Sequence, residues 1–115
     1  MLNGITNRLE HYMNLLGTRQ KLVASNVANL DTPGYQTKDI DFQFEFMSLA
    51  GKPGGPEVKP NVVEVEGLKT KQDGNNVSLD RETRLMSENA LRFSLASQLV
   101  RSEIRQLRTA IQDGR

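Results

Sequence analysis

The chain contains no cysteine and no tryptophan, and aromatic residues make up 5% of its 115 positions. Without cysteine, disulfides and thiolate metal sites are excluded. That lack assigns no compartment. His11 is the single histidine, so no second His or Cys can join it in a metal site or a nucleophilic pair. An excess of one charge is missing too. Fifteen Lys and Arg stand against 14 Asp and Glu, for a net charge of +1, which argues against a dedicated nucleic-acid binder. No apolar run approaches the roughly 20 residues that span a bilayer. Met1 to Glu10 lacks the basic and apolar stretches of a signal peptide, and on this ground alone the chain reads as cytoplasmic. At 115 residues and 37% hydrophobic, one small domain with a modest core is expected. Such a core makes a compact monomer marginal, and partners or further copies would supply the missing burial.

What the chain does have is two long periodic segments. In the first, Leu2, Ile5, Leu9, Tyr12, Leu16, Val23 and Leu30 fall at alternating spacings of three and four, with Arg19 and Asn26 as polar members of the same line. Leu15, Leu22 and Val27 widen the stripe. In the last, Met86, Ala90, Phe93, Ser97, Val100, Ile104, Leu107 and Ile111 step by four and three without a miss, flanked by Leu91, Leu95 and Leu99. A sustained 3.5-residue period predicts coiled-coil-like helices over about 2–30 and 78–112. Ser78 or Asp80 is placed to cap the second, and Gly114 to end it.

The middle is different. Three of the four prolines fall between Lys52 and Pro60, beside Gly51, Gly54 and Gly55, which predicts a flexible loop. Before it, Ile40 to Phe46 alternates with period two, yet Phe42 and Phe46 are also four apart, so strand and helical turn both fit. After it, Val63 to Glu66 alternates and Lys69 to Gln72 follows, which suggests a short hairpin or an extended arm. The expected fold is mainly α. Two long terminal helices pack as an antiparallel coiled-coil-like pair, joined by an extended loop or short β arm. As one structural domain it divides into an N-terminal helix and turn (1–36), a middle segment (37–77) and a C-terminal helix (78–115).

Catalytic constellations are sparse. Asp39 and Asp41 sit two apart as a carboxylate pair, but the ligand pattern of a calcium-binding loop is absent, and capping or solvating a turn is the better reading. Gly51 to Gly55 is glycine-rich beside Lys52 without matching a phosphate-binding loop. Arg101, Arg105 and Arg108 share one side of the last helix, where Glu103 and the near-neutral total favour a polar face or intersubunit salt bridges. No catalytic residue, metal or cofactor is expected. The apolar lines serve equally as an internal core or as an oligomer seam, with Leu9, Leu16, Val23, Leu30, Met86, Phe93, Val100, Ile104, Leu107 and Ile111 as candidates.

The most specific feature is Ser25 to Gln36, where the first helix must stop. Pro33 lacks an N–H and pushes Thr32 out of the helical region. Pro33-Gly34 reads as the centre of a type II turn, and Asn29, Asp31 and Thr32 are suited to hydrogen-bond the helix end. The pattern Asn26-x-x-Asn29-x-x-Thr32-Pro33-Gly34-Tyr35 resembles the signature of bacterial flagellar axial proteins, the rod and hook family. Asp39-Ile40-Asp41-Phe42 and Asp73-Gly74-Asn75-Asn76-Val77-Ser78-Leu79-Asp80-Arg81-Glu82 narrow the resemblance to a short proximal-rod type, although that type often has an acid where Ser78 stands. The other short rod type is the nearest rival, and a non-polymerising helical-hairpin adaptor is the rival from another class.

This resemblance implies a structural subunit that catalyses no reaction. It implies self-assembly with other rod subunits into a tubular drive shaft that transmits torque and encloses the export channel. Implied partners are copies of the chain, other rod proteins, the membrane ring and its adaptor to the rod, and the flagellar type III export apparatus, with no nucleic acid and no small-molecule substrate. The implied location is the rod in the cell envelope, reached without a cleaved signal peptide.

Overall fold

A continuous heptad period on residues that carry no interior proline leaves the chain two long helices to build, and the rest of the structure is fitted between them. The computed structural model describes residues 2–50 and 59–114. Helix α1 spans Leu2–Ala28, strand β1 Lys38–Ile40, helix α2 Phe42–Ala50, strand β2 Val62–Glu64 and helix α3 Leu79–Asp113. The molecule is a rod of 69 × 26 × 18 Å. Its radius of gyration, 18.0 Å, exceeds the about 13 Å of a compact domain of this length.

α1 and α3 pack antiparallel. Asn26 meets Glu82, and Gln20 meets Asn89 further along. Continued at this pairing, Leu9 lies against the region of Leu99 and Leu2 against residues 106–107. Residues 108–113 of α3 therefore run past the end of α1, and residues 104–113 are all exposed. At about 1.5 Å per residue this overhang is roughly 9 Å long.

The buried apolar residues are Leu15, Leu16, Val23, Ile40, Val77, Leu85 and Ala96. At least as much of the described interior is polar, namely Asn26, Thr37, Asp39, Glu45, Asn75, Asn76, Glu82 and Asn89. On α1 the inner face follows the apolar line through Leu16 and Val23, with Leu9 and Leu30 half-buried. On α3 the expected seam is displaced. The buried residues there are Glu82, Leu85, Asn89 and Ala96. They form a 3.5-period line one position before Met86, Ala90, Phe93 and Ser97. Met86, Phe93, Ile104, Leu107 and Ile111 face outward, and Val100 is half-buried. Hydropathy favours the more apolar of two parallel lines, whereas the fold turns inward the line whose polar members find partners on α1.

The middle segment docks on α1. β1 and β2 pair antiparallel, Lys38 with Glu64, Asp39 with Val63 and Ile40 with Val62. The local hairpin expected between 63–66 and 69–72 does not form. The N–H of Lys71 donates to Asn75 O at 2.8 Å and its carbonyl accepts from Gly74 N at 3.0 Å, which commits this stretch to the following turn. Between its two readings, Phe42 to Phe46 is helical. Asp41 caps α2 by accepting from Phe44 N at 3.2 Å, and the i, i+4 spacing lets Phe42 and Phe46 both meet Tyr12 edge-on, at 5.4 and 5.6 Å between centroids. Most of the expected proline-rich loop lies outside the described residues.

Candidate functional site

The end of α1 is built as its residues dictate. Thr32-Pro33-Gly34-Tyr35 closes a turn with Tyr35 N donating to Thr32 O at 3.2 Å, and Gly34 takes φ +76°, the value a type II turn requires at this position. Asn29 Nδ2 donates back to Ser25 O at 2.8 Å, and Thr32 Oγ1 donates to Asn29 Oδ1 at 3.0 Å. Asp31 and Pro33 are exposed.

The second motif, Asp73 to Asn76, interlocks with this turn. Gly34 N donates to Asp73 O at 2.9 Å and Asn76 N to Tyr35 O at 3.2 Å. Asn75, fully buried, donates to two carbonyls at the end of α1, Asn29 O at 2.9 Å and Thr32 O at 2.8 Å. Asn76 accepts from Thr37 N at 2.6 Å and donates to Gln36 Oε1 at 2.9 Å. Gly74 has φ +87° and lies so close to Gly34 that a Cβ added to it would stand 3.3 Å from Gly34 Cα. Ser78 then opens α3, accepting from Arg81 N at 3.3 Å.

Asn26 is the hub between the motifs. Its Nδ2 donates to Lys38 O at 2.9 Å and to Glu82 Oε1 at 2.5 Å, and its Oδ1 accepts from Lys38 N at 3.1 Å and from Tyr35 OH at 3.0 Å. The amide thus uses every donor and acceptor it has. By taking both backbone groups of Lys38 it closes the outer edge of β1 at that residue.

Asp39 is the second hub. Arg19 grips its carboxylate with two bonds, at 3.1 and 3.0 Å, and Arg81 adds a third at 2.5 Å. Arg81 also reaches Glu82 at 2.7 Å. Two arginines and two acids therefore neutralise one another along a chain that joins α1, β1 and α3. The bidentate geometry suits guanidinium and not lysine. A pairing of Asp39 and Asp41 around one turn is not what forms. Asp41 caps α2, whereas Asp39 is buried in this clasp. Phe42 lies beside it, with the guanidinium carbons of Arg19 and Arg92 at 5.8 and 6.0 Å from its ring centroid.

Each charged group of the clasp is held by its neighbours, and among the described residues no three His, Cys, Asp or Glu side chains gather. His11 stacks on Phe46 at 6.3 Å between centroids. Arg101, Arg105 and Arg108 are exposed on α3. Sequence reasoning singled out the two motifs but missed that Arg19, Arg81 and Glu82 join them. The signal available was a charged residue, Arg19, in an otherwise apolar line. Higher up the helical pair, Ile5, Leu9, Tyr12, Phe46, Leu95 and Leu99 line an open apolar groove of about 460 Å³.

The comparisons with known proteins agree with the motifs. The family described as flagella basal body rod protein matches residues 13–36, the second half of α1 and its turn. The chain is similar to the flagellar basal body rod protein FlgB of Cereibacter sphaeroides, 32% identical over 106 aligned positions that cover 82% of this chain and 83% of the relative. It is similar to the FlgB of Salmonella typhimurium, at 29% with 89% and 88% covered. To that of Yersinia enterocolitica it is 26% identical, with 98% and 97% covered.

Proposed function

Since this chain belongs to the flagellar basal body rod proteins of the FlgB type, and so has a structural role in the rod, we propose that it self-assembles with other rod subunits into the tubular shaft that transmits torque and encloses the export channel. The observation that carries this reading is the outward apolar line of α3. Met86, Phe93, Ile104, Leu107 and Ile111 are all exposed, and Ile111 stands on the overhang beyond the end of α1. A neighbouring subunit that covered this line would remove a large apolar area from water. Heterologous contacts of this kind that do not close generate helical filaments.

In this reading 1–36 and 78–115 are the axial segments and 37–77 a spacer docked on them. Asn26, Asn29, Thr32, Pro33, Gly34, Tyr35, Asp39, Asp41 and Phe42 hold the hairpin in shape, and the α3 line makes the subunit contacts. The partners are other rod subunits, the membrane ring with its adaptor, and the export apparatus that delivers the chain without a cleaved signal peptide. No catalysis is involved. The test is electron microscopy of basal bodies from a strain with an in-frame deletion of this chain, beside a complemented control. Rings without rod or hook, restored on complementation, are expected. Intact rods and hooks in the deletion strain would reject the proposal and favour a non-polymerising adaptor.

A further inference from the structure

The two edges of the small sheet are treated differently. Val65 N donates to Thr37 O at 2.9 Å, directly across in the register that pairs Lys38 with Glu64 and Asp39 with Val63. Bonded positions alternate in an antiparallel pair, so Asp39 and Val63 are the next bonded pair. Val62 and Glu64 on β2, like Lys38 and Ile40 on β1, then turn their backbone groups away from the partner strand. On β1 three of those four groups are occupied. Lys38 N and O bond the Asn26 side chain at 3.1 and 2.9 Å, and Ile40 N bonds Asp39 Oδ1 at 2.7 Å. On β2 no described residue bonds the outward groups of Val62 and Glu64 through a side chain or from another loop. All three residues of β2 are exposed, Val62 at 50% and Val63 at 47%.

We propose that the free edge of β2 is a docking strand for an extended basic segment of a partner protein, added to the sheet as a third strand. Backbone groups of the incoming segment pair with those of Val62 and Glu64, the mode by which exposed edges recruit peptides. Side chains alternate along a strand. Val62, Glu64 and Glu66 therefore share one face, and Val63 and Val65 the other. Glu64 and Glu66 are exposed, which selects lysine or arginine at every second position of the partner, while Val63 takes an apolar side chain between them. Pro60 lacks an N–H and limits the docking stretch to the residues after it. On the adjoining helix Phe44 and Met47 are also exposed. Glu45 ties that helix to the start of β2 by accepting from Asn61 N at 3.0 Å. This surface is separate from the α3 line and stands whether or not the rod reading holds.

The test is a titration of the full ¹⁵N-labelled chain with the peptide acetyl-Lys-Val-Lys-Val-Lys-amide, followed by amide shifts and hydrogen exchange. The expected result is perturbation centred on residues 62–66 and slowed exchange at Val62 and Glu64, with no such effect from acetyl-Glu-Val-Glu-Val-Glu-amide. Val62→Pro removes one outward donor and leaves the bonds to β1 in place. It is expected to weaken binding about tenfold, the effect of one lost bond near the upper end of its net worth. Glu64→Lys weakens it as well and, keeping the backbone donor, decides the matter if the proline variant loses the sheet. Affinity unchanged from the original chain in both variants, or shifts that map to α3, would overturn the proposal. So would exchange at Val62 and Glu64 that slows with protein concentration in the absence of peptide, since the occupant would then be a second copy.

Discussion

Asn26 on α1 donates to the carboxylate of Glu82 on α3 at 2.5 Å, a contact between residues 56 apart in sequence. Both side chains are buried, at 1% and 0% exposure. Each is also bound to a second element, Asn26 to Lys38 on β1 and Glu82 to Arg81. The pair sets the register of the two long helices, because sliding α3 by one turn would leave Oε1 of the buried Glu82 carboxylate without its donor. A single polar residue in a helical seam fixes register in coiled coils in the same way.

Asn26→Leu conserves volume and removes all four bonds of the amide. It leaves Glu82 with Arg81 alone and strips Lys38 of its partners, at a cost of about 3 kcal/mol for stranded buried polar groups. That is a large part of the stability of a small domain. Urea denaturation is expected to show a lowered midpoint with an unchanged slope. A midpoint equal to that of the unsubstituted chain would remove Asn26 from the role of register pin.

Asp39 and Asp41 respond differently to the same change. Asp39→Asn withdraws the charge that Arg19 and Arg81 share, and breaking a largely buried pair costs about 3 kcal/mol. Asp41→Asn keeps a good cap for α2 and shifts stability by less than about 0.5 kcal/mol. In a double-mutant cycle, Asp39→Asn with Arg19→Met costs less than the sum of the two. Similar losses for Asp39→Asn and Asp41→Asn in thermal or urea unfolding would contradict the clasp.

Gly74→Ala is expected to cost more than Gly34→Ala. Both sites have positive φ, 87° and 76°, which costs an L-residue about 1–2 kcal/mol. At Gly74 the new methyl also stands 3.3 Å from the backbone of Gly34, while at Gly34 nothing lies within 4 Å of it. The interlocked turns must part to make room at Gly74. Calorimetric unfolding of the two variants ranks them, and the reverse order would show that the turns are not held together.

Phe93→Asp and Ala96→Asp separate assembly from folding. Phe93 is 45% exposed and Ala96 2%. The first change is expected to leave the helicity and unfolding midpoint of the isolated chain within about 0.5 kcal/mol of the original. It abolishes rods and motility, because an unpaired charge would be buried in the contact between subunits. Ala96→Asp buries its charge inside the subunit and unfolds it. Motile cells carrying Phe93→Asp would remove the α3 line from assembly. Hydrogen exchange of the isolated chain adds a second check, with residues 104–113 expected to exchange fast and 82–96 slowly.

The elements legible in the sequence are those whose causes are local. The 3.5-residue period, Ser78 at the start of α3 and the Thr32-Pro33-Gly34-Tyr35 turn all act within four residues along the chain, and α1, α3 and the turn stand where these signals put them. The two motifs marked the region where the chain folds back on itself. Tertiary structure alone decided which face of α3 points inward. Two lines one residue apart share the same period, and the choice rests on Glu82 and Asn89 finding Asn26 and Gln20, 56 and 69 residues away. It also decided that Asp39 joins Arg19 and Arg81 and that β2 pairs with β1. A buried charge or a strand edge is stabilised by whatever group the fold brings to it, and the distance along the chain to that group leaves no periodic trace in the residues themselves.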